Sequence, residues 1–265
     1  MPLPSDEKLI QLANDLLQQF DAIFGFHPGL RPAHAKGVLL TGAFSPSPKA
    51  ASLTRAPHAG RESTPVTVRL SDSTGIPTIP DNDPNANPRG LAIRFHLADR
   101  VHTDMIAHST DGFPTRTGWE FLEFLRAAAA SDPSKPSPSP MEAFLGTHPA
   151  AFVQAPKPSP ASFAKEAYFG VVALRFINQT GIVRHGRYRI SPELGIEHLD
   201  EAAAKGKDAN YLCDELSRRV AAGPVRLHIR VQIAGDGYLR PDSSRGRYRA
   251  VGRPSPGVAR RGLFC

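Results

Sequence analysis

The chain is poor in several of the features that define common functional classes. Only two cysteines, Cys213 and Cys265, occur in 265 residues, too few for a disulfide framework. Neither is spaced with histidines so as to hold zinc or an iron–sulfur cluster. A reduced, cytoplasmic setting is the expectation. No stretch approaches the ~18 consecutive apolar residues of a membrane span, so no membrane association is expected. The polar, acidic start from Met1 to Glu7 does not resemble a secretion signal. Gly-rich phosphate loops are absent. Acids are scarce near the end: between Arg240 and Cys265 seven arginines face one acid, Asp242, and this accounts for nearly all of the net +7. The body before it is close to neutral, which argues against a nucleic-acid partner.

What is present is a patterned chain with 40% hydrophobic residues, enough for one sizeable core. Ser5 is a plausible helix cap, followed by Asp6 and Glu7 in the first turn. Leu9, Ile10, Ala13, Leu16, Leu17, Phe20 and Phe24 then recur at three and four, which predicts an amphipathic helix closed by Gly25. From Lys36 the period becomes two. Val66, Val68 and Leu70 alternate with Thr67, Arg69 and Ser71; Leu91, Ile93 and Phe95 alternate with Ala92, Arg94 and His96. A short strand over 104–109 and a helix over 119–130 follow.

Proline and serine crowd 131–140 and 155–160 and exclude regular structure there, with a helical turn at Met141 to Phe144 between them. Strands return over 168–178 and 182–190 around a Gln179-Thr180-Gly181 turn, then a helix over 208–222 and a strand over 225–234. After Gly235 the apolar period stops. Two units result: an ordered domain over 5–234 and an irregular basic tail over 235–265. About seven mostly hairpin-connected strands with few helices predict an α+β fold built on an antiparallel barrel or sandwich.

The residues with chemical potential are few. In Arg31-Pro32-Ala33-His34-Ala35-Lys36-Gly37, His34 stands at the edge of a strand. Arg69 and Ser71 are two apart and so share one face of theirs. Asn87-Pro88-Arg89-Gly90 leads into another strand. Taken singly, these read as a structural histidine, a solvated face and a turn.

Taken together, these segments resemble the catalases in order and spacing, as do Val66 to Ser71 and Pro88 to Phe95. Ala107-His108-Ser109-Thr110-Asp111-Gly112-Phe113-Pro114, Tyr168-Phe169-Gly170 and Gly186-Arg187-Tyr188-Arg189-Ile190 resemble the small catalase-related peroxidases. The resemblance runs from about residue 5 to about 234. It implies an antiparallel β-barrel of the catalase type with flanking helices, and haem b as cofactor. His34 would be the distal histidine and Ser71 its hydrogen-bond partner, the two catalytic residues. Arg31 and Arg69 would pair with haem propionates, Phe121 would stack near the distal face, and Phe124 would line an apolar channel. The implied reaction is reduction of hydrogen or organic peroxides with a small organic electron donor, accompanied by weak catalase turnover. A homodimer is the implied assembly.

The resemblance has two departures. Catalases carry an asparagine beside the distal histidine, and the alignment puts Ser109 there, which favours peroxidase over catalase chemistry. The family also continues with a closing strand and a helix bearing Arg-x-x-x-Tyr, whose tyrosinate binds iron. Beyond Ala234 nothing matches, so closing strand and proximal helix are read as missing. A change of frame or splicing in the coding sequence is the simplest explanation. Of the five tyrosines only Tyr188 has an arginine four before it, Arg184, in a strand matching another segment; no iron ligand is assigned. The alternatives are a hydroperoxide-rearranging haem enzyme of the same fold and an inactive remnant that does not hold haem.

Overall fold

A computed structural model describes residues 5–132, 134–154, 157–235, 239–242, 247–250 and 261–262. The first helix, α1 (Glu7–Phe24), starts one residue later than Ser5 predicts. The Asp6 carboxylate is the cap, accepting from the amides of Lys8 at 2.9 Å and Leu9 at 3.4 Å. Gly25 ends the helix with φ of 85°. Strand β1 (Gly37–Phe44), the short α2 (Ala50–Leu53), β2 (Thr64–Ser71), β3 (Gly90–Ala98) and β4 (Val101–His108) follow. Next come α3 (Gly118–Ala130) and α4 (Pro140–Thr147). The latter is a full helix rather than the expected turn, because Ser139 and Glu142 close a capping box ahead of it.

The predicted strand over 168–178 is broken in two, β5 (Tyr168–Phe169) and β6 (Leu174–Ile177), both paired with β7 (Val183–Pro192). The turn between β6 and β7 is organised by Asn178, whose side-chain carbonyl accepts from the amides of Thr180 at 3.1 Å and Ile182 at 2.8 Å. Gly181 supplies the left-handed φ of 82° that the turn requires. After α5 (Glu201–Lys205) and α6 (Tyr211–Ala222) the last long strand is β8 (Leu227–Ile233). The tail read as irregular contains, among its described residues, three short strands: β9 (Leu239–Asp242) paired with β10 (Arg247–Ala250), and β11 (Arg261–Gly262) added to β8.

The main sheet runs β1-β2-β3-β4-β5-β7-β8-β11, antiparallel throughout, with β6 also on β7. Its apolar face is the one the alternation marked. Val66 and Leu70 of β2, Leu91, Ile93 and Phe95 of β3, Met105 and Ala107 of β4 and Ile190 of β7 form a single buried cluster. Val38 and Leu40 of β1 and Leu227 and Ile229 of β8 pack on that same cluster. Strands far apart in the sheet order can share one core only if the sheet curls, which makes it a curled half-barrel. Helix α3 packs on α1; a Cβ on Gly118, the first residue of α3, would come within 2.9 Å of Leu12 Cδ2.

Candidate active site

The opposite face of the sheet carries the candidate chemistry. Strand register aligns Gly37, Ser71, Gly90 and His108 in one row across β1 to β4. The next row on that face is Leu39, Arg69, Ala92 and Ile106. In the first row two of four residues lack side chains, and His34 folds into the gap. Its Nδ1 lies 3.1 Å from Ser71 Oγ. A Cβ on Gly90 would stand 2.6 Å from that oxygen and 2.8 Å from that nitrogen, so only glycine admits the pair. In the second row Leu39 is 66% and Ile106 61% exposed, an apolar ledge facing outward beside polar groups.

His34 adopts φ of 55°, a left-handed conformation disfavoured for a residue with a Cβ. The surrounding backbone holds it there. Its amide donates to Ser73 O at 3.1 Å, and the amide of Ala35 donates to Thr74 O at 3.0 Å. Arg69 Nη2 donates to the carbonyl oxygens of His34 at 2.7 Å and Ala35 at 3.2 Å. Burial and then the charge of Arg31 hold Arg69 below its ordinary pKa. Two guanidinium groups thus bear on each other beside His34, and among the described residues neither has an acidic partner. That is the electrostatic form of an anion site.

Burial pushes the His34 imidazole down to about 4; His108 adds to the fall, a backbone hydrogen bond with Asp72 opposes it, and Arg69 and Arg31 lower it further. The ring is therefore neutral across the physiological range. His108 stacks on it, with centroids 5.4 Å apart and planes at 25°. Phe113 follows at 6.3 Å from His108, then Phe121 at 4.8 Å from Phe113 and Phe124 at 6.1 Å from Phe121. Phe121 is therefore separated from His34 by two rings, His108 and Phe113. The structure brings His34, Ser71, Arg31 and Arg69 together.

Ser109, expected beside the distal histidine, is committed elsewhere. Its hydroxyl accepts from the Arg89 amide at 2.9 Å, its own amide donates to Arg89 O at 2.8 Å, and its carbonyl accepts from Lys157 Nζ. His108 occupies the position instead. Sequence reasoning treats His108 as a strand residue; the usable signal lay in the register, since it falls opposite Gly90, one of the two bare positions in the row.

Beneath the site is a buried charge network that sequence reasoning also misses. Arg89 is wholly buried and ion-paired with Asp72, and its Nη2 donates to Asp81 O at 2.6 Å. Asp81 in turn pairs with Lys36 at 2.6 Å and accepts from the Leu212 amide at 2.8 Å. Burial outweighs the attraction of Arg89 and, with the like charge of Asp81, pushes the Asp72 carboxyl up. Three chain positions join the network to the site: Asp72 follows Ser71, Arg89 precedes Gly90, and Ser109, pinned to Arg89, follows His108.

This outer face suits a flat, largely apolar group with acidic substituents, such as haem. Leu39, Ala92 and Ile106 offer a ledge for the ring, Arg31 and Arg69 offer charge for carboxylates, and His34 stands beside them. Among the described side chains, Tyr168 donates to Phe163 O at 2.9 Å and Tyr211 to Pro160 O at 2.7 Å, while Tyr188 packs edge-on to Phe176. Burial raises the pKa of all three phenols.

A curled antiparallel sheet thus carries a histidine, a serine and two arginines at its open face, and likeness to known proteins identifies the family. The catalase family model matches residues 28–236. The chain is 36% identical over 237 residues to the catalase-related peroxidase of Mycolicibacterium paratuberculosis, covering 86% of this chain and 74% of that one. It is 32% identical over 231 residues to the catalase-related peroxidase of Synechococcus elongatus, covering 84% and 67%. The solved structure of a bacterial catalase superposes with a TM-score of 0.69 at 20% identity, covering 100% of this chain and 52% of that one. The chain spans about half the length of that catalase. The chain belongs to the catalase family, a family of oxidoreductases that act on peroxide.

Proposed function

We propose that the protein is a haem-dependent peroxidase that reduces hydrogen or organic peroxides at the expense of a small organic donor, with weak catalase turnover. The observation that carries this reading is the placement of a neutral His34, bonded to Ser71, beside an exposed apolar ledge and two arginines without acidic partners. Haem b would lie on Leu39, Ala92 and Ile106, its propionates toward Arg31 and Arg69. Held by these residues, haem would supply the redox chemistry for cleaving the O–O bond.

His34 does the proton work. In the tautomer with Nδ1–H donating to Ser71 Oγ, Nε2 is an unprotonated acceptor. It takes the proton from one peroxide oxygen and returns it to the other, which leaves as water or an alcohol. Ser71 holds the tautomer and the ring plane, and Gly90 leaves room for both. The reading includes a cytoplasmic setting and a homodimer. Among the described residues no helix is long and apolar enough to cross a membrane.

The experiment is a haem titration of the purified 265-residue chain followed at the Soret band, with His34→Ala in parallel. Stoichiometric uptake, with peroxidase turnover lost in His34→Ala, supports the proposal. Folded protein that takes up no haem overturns it and favours the remnant reading.

A further inference from the structure

We propose that a cavity on the core side of the sheet is a second binding site, for a small neutral aromatic alcohol such as phenol, with its hydroxyl held by Ser47 and His58. The cavity lies beside α2, where the end of β1 comes near β6, β7 and β8. It holds about 450 Å³ of empty space, its open mouth included. Met105 of β4 lines it, while the next residue, Ile106, stands on the exposed ledge of the opposite face. One thickness of sheet therefore separates the cavity from the candidate active site, and binding in it does not depend on haem.

The lining selects the class of ligand. Phe44, Phe176 and Tyr188 present rings, Leu53 and Ile229 branched chains, and Met105 a thioether. Aromatic side chains and sulfur favour a flat ring as the guest. Among the described residues that line the cavity there is no lysine, arginine, aspartate or glutamate. Burial lowers the pKa of His58, so that ring is neutral as well. An ionised ligand would lose its water there and find no counter-charge, which excludes carboxylates and ammonium groups.

Two polar atoms of this lining lack a partner. Ser47 Oγ and His58 Nδ1 are both shielded from solvent, and among the described residues neither has a hydrogen bond. Buried polar atoms are normally satisfied, and two exceptions at one apolar cavity mark where the polar atom of a guest belongs. The His58 ring is held in place: it stacks on Phe95 with centroids 4.4 Å apart and planes at 20°, and Phe44 meets it edge-on at 5.8 Å. One hydroxyl can serve both atoms. It donates once and accepts as well, and the Ser47 hydroxyl takes whichever part the His58 tautomer leaves open. A water could bond the same two atoms but would leave the aromatic walls without contact.

The test is calorimetric titration of the full 265-residue chain, without added haem, with phenol, toluene and benzoate. Phenol is expected to bind saturably at one site and to raise the Tm. Toluene, a ring of similar size without the hydroxyl, is expected to bind about tenfold more weakly, the value of one such hydrogen bond. Benzoate is expected not to bind. Ser47→Ala and His58→Phe are each expected to narrow the gap between phenol and toluene, and Ala50→Leu, which fills the cavity, to abolish binding of both. No saturable binding of phenol overturns the proposal and leaves water as the occupant. Equal affinity for phenol and toluene overturns the role of the hydroxyl, and benzoate bound as well as phenol overturns the restriction to neutral ligands. Undiminished phenol binding in Ala50→Leu puts the ligand elsewhere and overturns the site. Should Ala50→Leu not fold, Ser47→Ala, at a half-buried position, carries the comparison: an unchanged ratio of phenol to toluene affinity overturns the assignment. Haem uptake by the wild-type chain, read separately at the Soret band, decides the peroxidase reading and leaves this one untouched.

Discussion

His34 Nδ1 and Ser71 Oγ meet at 3.1 Å over Gly90, whose missing side chain is the condition of their contact. The pair is made by residues 37 apart in sequence. It depends on a loop that delivers His34 with a left-handed backbone and on a strand that points Ser71 to the open face.

Gly90→Ala tests that condition. The added Cβ would press on both partners from less than 3 Å, and the neighbours are a backbone-anchored histidine and a buried serine. Overpacking of this kind costs about 1–3 kcal/mol. The expected result is a folded protein with a lower Tm and peroxidase turnover reduced by about a hundredfold or more. Full turnover in Gly90→Ala would refute the arrangement.

Ser71→Ala removes the hydroxyl and leaves the His34 tautomer unassigned. Turnover is expected to fall by about tenfold, consistent with loss of one hydrogen bond, with little change in haem uptake. A variant as active as wild type would show that Ser71 does not orient the base.

Acid dependence follows from His34. Its folded pKa of about 4 lies below the ordinary imidazole value of 6.5, so the base stays neutral, and turnover persists, until the pH falls through about 4. For stability, the unfolded chain binds the extra proton between these two values. The contribution of His34 is therefore intact above about 6.5 and is lost as pH falls toward about 4. Asp72 acts in the opposite sense, because its carboxyl is pushed up on folding. Denaturation of wild type and His34→Gln at pH 7 and pH 5 separates the two: the variant should lose less stability on acidification. An equal loss would count against a buried neutral His34.

Arg89→Met leaves Asp72 buried and unpaired. Removing one partner of a buried pair costs about 3–5 kcal/mol, so a marked fall in the denaturation midpoint is expected. Because Arg89 also pins Ser109 through its backbone only, the variant that does fold should keep its site geometry. Wild-type stability would mean that the network contributes nothing net.

Arg31→Ala separates the anion site from the fold. Arg31 makes no ion pair among the described residues, whereas Arg69 also holds the carbonyls of His34 and Ala35. Arg31→Ala is expected to weaken haem binding by about tenfold with an unchanged Tm, and Arg69→Leu to damage both. Titration at the Soret band and thermal melts read the two effects.

Local pattern decided much of this protein. Period-2 alternation in 66–71 and 91–96 marked which residues face the core, because a strand turns successive side chains to opposite faces and only one face is buried. The three-four spacing of α1 and the resemblance carried by the segments around His34, Ser71 and Arg89 were equally legible. Helix caps were read less well: Asp6 rather than Ser5 caps α1, because whether a side chain reaches the free amides depends on where the backbone leaves the helix. What only the tertiary structure decided is which side chains meet across strands. Register set His108 rather than Ser109 against His34 and engaged Ser109 with Arg89. Tertiary packing also brought Asp72, Arg89, Asp81 and Lys36, all outside the strands, into one buried network. A one-residue difference in a strand reverses the face a side chain occupies, and pairing between distant segments is set by the whole sheet, which no local stretch of sequence encodes.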